Sequence, residues 1–87
     1  MADPIHLLRM QQLRARYPRG RSTIYMDIAA GLMTPPVALG ARCVGWPARE
    51  VDQIIAARVA GATDDQIREL VARLIAERRL PALATTP

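Results

Sequence analysis

Apolar residues recur at helical spacing near the start of the chain. Met10, Leu13 and Tyr17 lie at i, i+3 and i+7, which predicts a short amphipathic helix over residues 9–16. Pro18 ends this helix, because the residue before a proline is pushed out of the α region. Residues 5–8 are apolar without a clear period, and we expect them to form a short extended lead-in.

A second helix is predicted over residues 21–30, with Ile24 and Ile28 one turn apart and Gly31 in the usual C′ position. A tight turn over residues 17–20 joins it to the first helix. Two short helices joined in this way are typical of a helix-turn-helix. At 100° per residue the two isoleucines face one side. The opposite face carries Arg21, Ser22, Tyr25, Met26 and Ala29.

Two short runs that favour β structure, residues 37–39 and 43–46, flank the connection Gly40-Ala41-Arg42 and predict a small hairpin, or wing. We expect Pro47 at the first position of a third helix, where its missing N–H costs nothing, and Gly61 at the end of that helix. The apolar stripe of this third helix consists of Val51, Ile54, Ile55 and Val59.

The fourth helix has the clearest pattern in the chain. Thr63 and Gln66 form a capping-box signature, and the helix is expected to run from Asp64 to Arg79, where Arg78 and Arg79 complement the helix dipole. Residues 81–87 are expected to be a frayed tail. An apolar stripe needs a cover, which is either the third helix of the same chain or the fourth helix of a second subunit in a homodimer. The stripe consists of Ile67, Leu70, Val71, Leu74 and Ile75.

These elements predict a mostly α-helical fold with a small β-hairpin wing. Residues 1–61 would form a winged helix-turn-helix, and residues 62–80 a C-terminal amphipathic helix packed on that domain or on a second subunit. Trp46 is expected to anchor the wing to the third helix in the core, and Cys43 to be a small buried residue.

Length and composition exclude several classes of protein. The 87 residues suit one small domain, and neither a membrane-spanning run nor a signal peptide is recognisable, so we expect a cytoplasmic protein. One Cys and one His exclude a disulfide framework and a zinc cluster. We find no catalytic constellation, and therefore expect no enzyme activity, cofactor, metal or small-molecule ligand.

Charge is distributed unevenly between the two halves of the chain. Residues 1–49 carry seven Arg and two Asp, whereas residues 50–87 carry five Arg and six acidic residues. A basic half beside a balanced half indicates one surface for a polyanion and another for packing or for a protein partner. A well-solvated arginine-rich surface is the simpler alternative.

The sequence resembles the AlpA-type regulators of phages and prophages. The similarity rests on Arg21-Ser22-Thr23-Ile24-Tyr25, then PPVALGARCVGW, then EVDQIIAAR, in that order, and it covers about residues 8–58. The resemblance implies a MerR-like winged helix-turn-helix related to excisionases, in which the second helix enters the major groove of DNA and the hairpin contacts the neighbouring backbone or minor groove.

By position, the resemblance makes Arg21, Ser22, Thr23 and Tyr25 candidates to read or clamp the major groove, and Arg42 the wing contact. Arg16 and Arg19 flank the turn and are candidates to hold phosphates. Members of the family often have a basic residue after the tyrosine. This chain has Met26 and Asp27 there, which removes one contact and is expected to add a repulsive charge near DNA.

The leading hypothesis is a sequence-specific regulator of a prophage or integrated element that binds double-stranded DNA. One alternative is a protein-interaction module that acts through the C-terminal helix. The other is an architectural excisionase that bends DNA. The sequence does not separate an excisionase from a regulator.

Overall fold

The computed structural model describes residues 6–78, and the chain there forms four helices and three short strands. Strand β1 (Leu7–Leu8) leads into helix α1 (Met10–Arg16), as the extended lead-in and first helix predicted. Leu13 is the buried residue of α1. Residues 1–5 and the expected tail 81–87 lie outside the described residues, as does Arg79.

Helix α2 (Arg21–Ala29) follows a four-residue turn, so the helix-turn-helix arrangement is confirmed. Gly20 is its N-cap. At the other end Gly31 has φ +78°, a left-handed conformation that glycine adopts without strain. Ile24 is buried and Ile28 is partly buried against the core, which orients α2 as its apolar spacing predicted.

The wing is a hairpin of β2 (Val37–Gly40) and β3 (Cys43–Pro47), close to the predicted bounds. The hairpin register pairs Val37 with Gly45 and includes an irregularity between Ala38 and Gly40. Strand β1 pairs antiparallel with β3 on its other side, which gives a three-stranded sheet of order β1-β3-β2. A Cβ on Gly45 would lie 3.2 Å from Leu39 and 3.3 Å from Leu7, so glycine allows this close approach.

Helices α3 (Ala48–Val59) and α4 (Asp64–Glu77) complete the fold as a helical hairpin that turns at Gly61. Pro47 is the N-cap of α3 and the last residue of β3, not the first helical residue as expected, because its ψ of 124° is not helical. The capping box of α4 is confirmed. Thr63 Oγ1 accepts from the backbone N–H of Gln66 at 3.2 Å, and Gln66 Oε1 accepts from the N–H of Thr63 at 2.8 Å.

The core joins all four helices and the sheet around Trp46, which is fully buried and confirms its role as the anchor of the wing. The indole N–H donates to the carbonyl of Thr34 at 3.0 Å. Cys43 is only half-buried, because it lies at the outer end of the hairpin next to the turn, and the expectation of a buried residue is corrected.

The apolar stripe of helix α4 is covered by other elements of the same chain. Ile67, Val71 and Leu74 are buried in the common core, and Leu70 packs partly against it. Three of the five side chains of the stripe are thus buried within one subunit, as expected if the same chain provides the cover. Ile75, which is 39% exposed, is the residue of the stripe that faces solvent.

Candidate nucleic-acid interface

Helix α2 presents a polar face to solvent, on the side opposite its buried isoleucine. Arg21, Ser22, Tyr25 and Met26 are all exposed, as the helical wheel predicted, whereas Thr23 is half-buried at the edge of this face. The helix therefore uses one side for the core and leaves the other free for a partner.

A groove of about 420 Å³ runs between α2, the start of α1 and the hairpin. We call it the basic groove. It brings together two sequence-predicted residues of α2, Arg21 and Tyr25, and the predicted wing residue Arg42. The residues that line it are Arg9, Met10, Gln11, Arg21, Tyr25, Arg42 and Val44.

Within the part of the chain that the structure describes, no carboxylate compensates the positive charge of the basic groove. Arg9, Arg21 and Arg42 are all exposed and form no ion pair with the acidic side chains of residues 6–78. No acidic residue is among those that line the groove. Guanidinium groups in such a setting are suited to phosphate or guanine, since each offers two parallel N–H donors.

Tyr25 connects this surface to the core. Its ring lies edge-on to the buried ring of Trp46, with centroids 6.5 Å apart and an interplanar angle of 62°. Edge-to-face pairs of this kind are stabilising and restrict ring orientation. The exposed part of Tyr25 is thus held by a fixed element of the core.

Arg16 and Arg19, the two predicted phosphate contacts beside the turn, do not line the basic groove. Arg16 Nη1 forms an ion pair with Asp52 at 3.0 Å, and Arg19 Nε forms one with Asp27 at 2.9 Å. Both arginines line a separate cavity of about 460 Å³, which also includes the ion pair of Arg58 and Asp64. We call this cavity the ion-pair cavity.

Asp27 corrects an expectation about charge. Its side chain is buried and faces the turn, not the exposed side of α2, so it does not place a negative charge on the predicted DNA-binding face. Its carboxylate accepts from the Tyr17 hydroxyl at 3.2 Å and pairs with Arg19. Burial of the hydroxyl, followed by the nearby charge of Asp27, raises the pKa of Tyr17.

Two groove residues, Arg9 and Gln11, were missed by the reasoning from sequence. They enter the site because β1 pairs with β3, in the register Leu7 with Pro47, and so brings the start of α1 close to the wing. The leucine pair of the extended lead-in, Leu7 and Leu8, could have predicted this position, because a strand there can pair with the wing.

Within residues 6–78 there is no group of three potential metal ligands among His, Cys, Asp and Glu. No helix in the same stretch is long and apolar enough to cross a membrane.

The fold and the site together define a small winged helix-turn-helix protein with a basic groove between its second helix and its wing. The family model of the prophage CP4-57 regulatory protein (AlpA) matches residues 6–59, more than half of the chain. The chain therefore belongs to the AlpA family of prophage regulatory proteins, a family of regulators and not of enzymes. Comparison with curated proteins and with solved structures gives no match.

Proposed function

We propose that this protein is a sequence-specific, duplex-DNA-binding transcriptional regulator of a prophage or integrated element. Helix α2 would enter the major groove, and the β2–β3 hairpin would lie against the neighbouring backbone as a wing. The observation that carries the proposal is the basic groove, in which three exposed arginines without an ion-pair partner among residues 6–78 lie along the exposed face of α2.

The residues of the basic groove would have different roles in DNA binding. Arg9, at the N-cap of α1, and Arg42, in the hairpin turn, line the groove beside α2 and would hold phosphates of one backbone strand. Arg21 belongs both to the groove and to the first turn of α2, the part of a recognition helix that reaches base edges. Ser22, Thr23 and Tyr25 would supply hydroxyl groups to bases or phosphates.

Arg16 and Arg19 would contribute less than their charge suggests. Each would have to leave an aspartate before it could bind a phosphate, and Arg19 would leave the carboxylate of Asp27 buried without its ion-pair partner. The number of phosphates neutralised should therefore be two or three, drawn from the basic groove.

The test is a fluorescence-anisotropy titration over a range of salt concentrations. The DNA would be the region upstream of the gene and fragments selected from random duplexes by the purified protein. With roughly 0.9 counterions released per phosphate, the slope of log K against log salt should be about −2 to −3. Arg73→Ala is the matched control, since Arg73 is exposed on α4 and does not line the groove. Absence of binding to every duplex at low salt would overturn the proposal.

A further inference from the structure

Met26 is an apolar side chain on the exposed face of the proposed recognition helix. It is 69% exposed and does not belong to the core. A single exposed apolar residue needs no explanation by itself, since folded proteins have many. Its position is what matters here, because it lies on the helix that faces the proposed ligand.

The neighbours of Met26 on the exposed side of α2 are small. Ser22 lies one turn before it, and Ala29 and Ala30 are the exposed residues nearly one turn after it. Met26 is therefore the longest side chain on this part of the helix. Tyr25, about 100° away around the axis, faces the basic groove instead.

The adjacent Asp27 does not compete for this position. Its carboxylate is turned inward to Tyr17 and Arg19, so the surface around Met26 has no negative charge from it. The residues near the methionine on α2 thus combine a flexible apolar tip with small, uncharged neighbours.

Base edges in the major groove offer hydrogen-bond donors and acceptors and one apolar group, which is the C5-methyl of thymine. We propose that Met26 is a specificity-determining residue that recognises a thymine methyl in the target site. This inference rests on the proposed function. Methionine suits the contact because its unbranched thioether adapts to an irregular apolar surface. In this arrangement Arg9 and Arg42 hold the backbone while Met26 selects a base.

The experiment uses the full chain and the duplex selected in the binding assay. Each thymine of that duplex is replaced in turn by deoxyuridine, which lacks the methyl and keeps the base-pairing edge. Loss of one buried methyl should weaken wild-type binding about fourfold at one or two positions, the fold-change that corresponds to about 0.8 kcal/mol.

Variants assign the effect to Met26. In Met26→Ala the deoxyuridine penalty should disappear at those positions, whereas Met26→Leu, which keeps an apolar tip, should retain it. Val59→Ala is the control, because Val59 is an exposed apolar residue on α3 that lines the ion-pair cavity. It should show the wild-type penalty. Thermal melts of each variant check that the fold is kept.

The inference is overturned if the deoxyuridine penalties are the same in wild type and Met26→Ala at every position, or if the selected site contains no thymine. In either case the protein still binds a defined duplex, and the proposed function stands. Failure to bind any duplex overturns the proposed function itself, and with it this inference.

Discussion

Arginines surround both the basic groove and the ion-pair cavity, but the two regions use them differently. Arg16 and Arg19 have side chains that are 42% and 46% exposed, so exposure alone would make them available to DNA. Each is nevertheless paired with an aspartate, whereas Arg9, Arg21 and Arg42 have no acidic partner within the described part of the chain. Availability for a polyanion is thus decided by the acidic residues that folding brings nearby.

Helix α4 holds the fold together through two further arginines. Arg68 Nε lies 2.9 Å from the carbonyl of Ala30, at the end of α2. Arg78 Nη2 lies 2.8 Å from the carbonyl of Pro35, just before the wing, and Arg78 also forms a two-contact ion pair with the buried Glu50. The α3–α4 side thus acts as support, and the basic groove as the surface that it supports.

The largest expected effect comes from removing this support by truncation after Gly61. The burial of Ile67, Val71 and Leu74 would be lost, at roughly 1.5–3 kcal/mol each, which is comparable to the total stability of a small domain. We expect the truncated chain to be unfolded or molten by circular dichroism. A folded monomeric fragment cut from a dimeric full-length protein, as measured by light scattering, would instead make α4 a subunit contact.

Substitutions in the basic groove should affect DNA binding without affecting the fold. Arg21→Ala is expected to cost about 1–3 kcal/mol on the preferred site and to relax the preference at one base pair. Arg42→Ala should weaken binding to all sequences alike and flatten the salt slope by about 1. Anisotropy titrations on preferred and scrambled duplexes measure both. Equal, sequence-independent losses would reduce Arg21 to a phosphate contact.

Tyr17→Phe tests the ion-pair cavity through the pH dependence of the unfolding free energy. The pKa of Tyr17 is raised above its ordinary value of about 10, so its neutral form stabilises the fold. That contribution is complete below about pH 10 and is lost as the pH rises through the folded-state pKa. Chemical denaturation should show wild-type stability falling above pH 10 and a flatter profile for the variant. Near neutral pH the lost hydrogen bond to Asp27 should cost about 0.5–1.5 kcal/mol. Parallel profiles would remove Tyr17 as the titrating group.

The smallest effect is expected from Asp52→Asn, which releases Arg16. This ion pair is exposed, so unfolding free energy should change by less than about 1 kcal/mol. Because Arg16 lies outside the basic groove, the salt slope of DNA binding should stay as in wild type. A slope steeper by about 1 would show that a released arginine does reach DNA, and that the difference between the two regions depends on pairing alone.

The sequence predicted well what depends on neighbouring residues. Thr63 with Gln66, and Gly31 after Ile28, are local signals that fix where α4 begins and α2 ends, and both are observed in the structure. Pairing between distant residues could not be predicted in the same way. Asp52 is 36 residues from Arg16, and no local pattern indicates that the two side chains meet.

In the candidate site, too, local features could be predicted from the sequence and contacts between distant residues could not. The exposed face of α2 could be predicted from helical spacing. Arg9 lines the basic groove because β1 pairs with β3, and Arg16 is held outside the groove by its ion pair with Asp52, and neither contact is visible in the sequence. A count of charges along the chain therefore overestimates how many arginines are available in the folded protein.

Arg68 of α4 and Arg78 at its C-cap contact the carbonyls of Ala30 and Pro35, and these contacts lower the conformational entropy that the chain would lose on binding a ligand. The segment between α2 and the wing is held near both ends, with the indole of Trp46 bound to the carbonyl of Thr34 between them. The spacing of α2 and the hairpin is then set before a ligand arrives, and little backbone entropy remains to be lost on binding. Free and bound forms should differ mainly in side-chain rotamers.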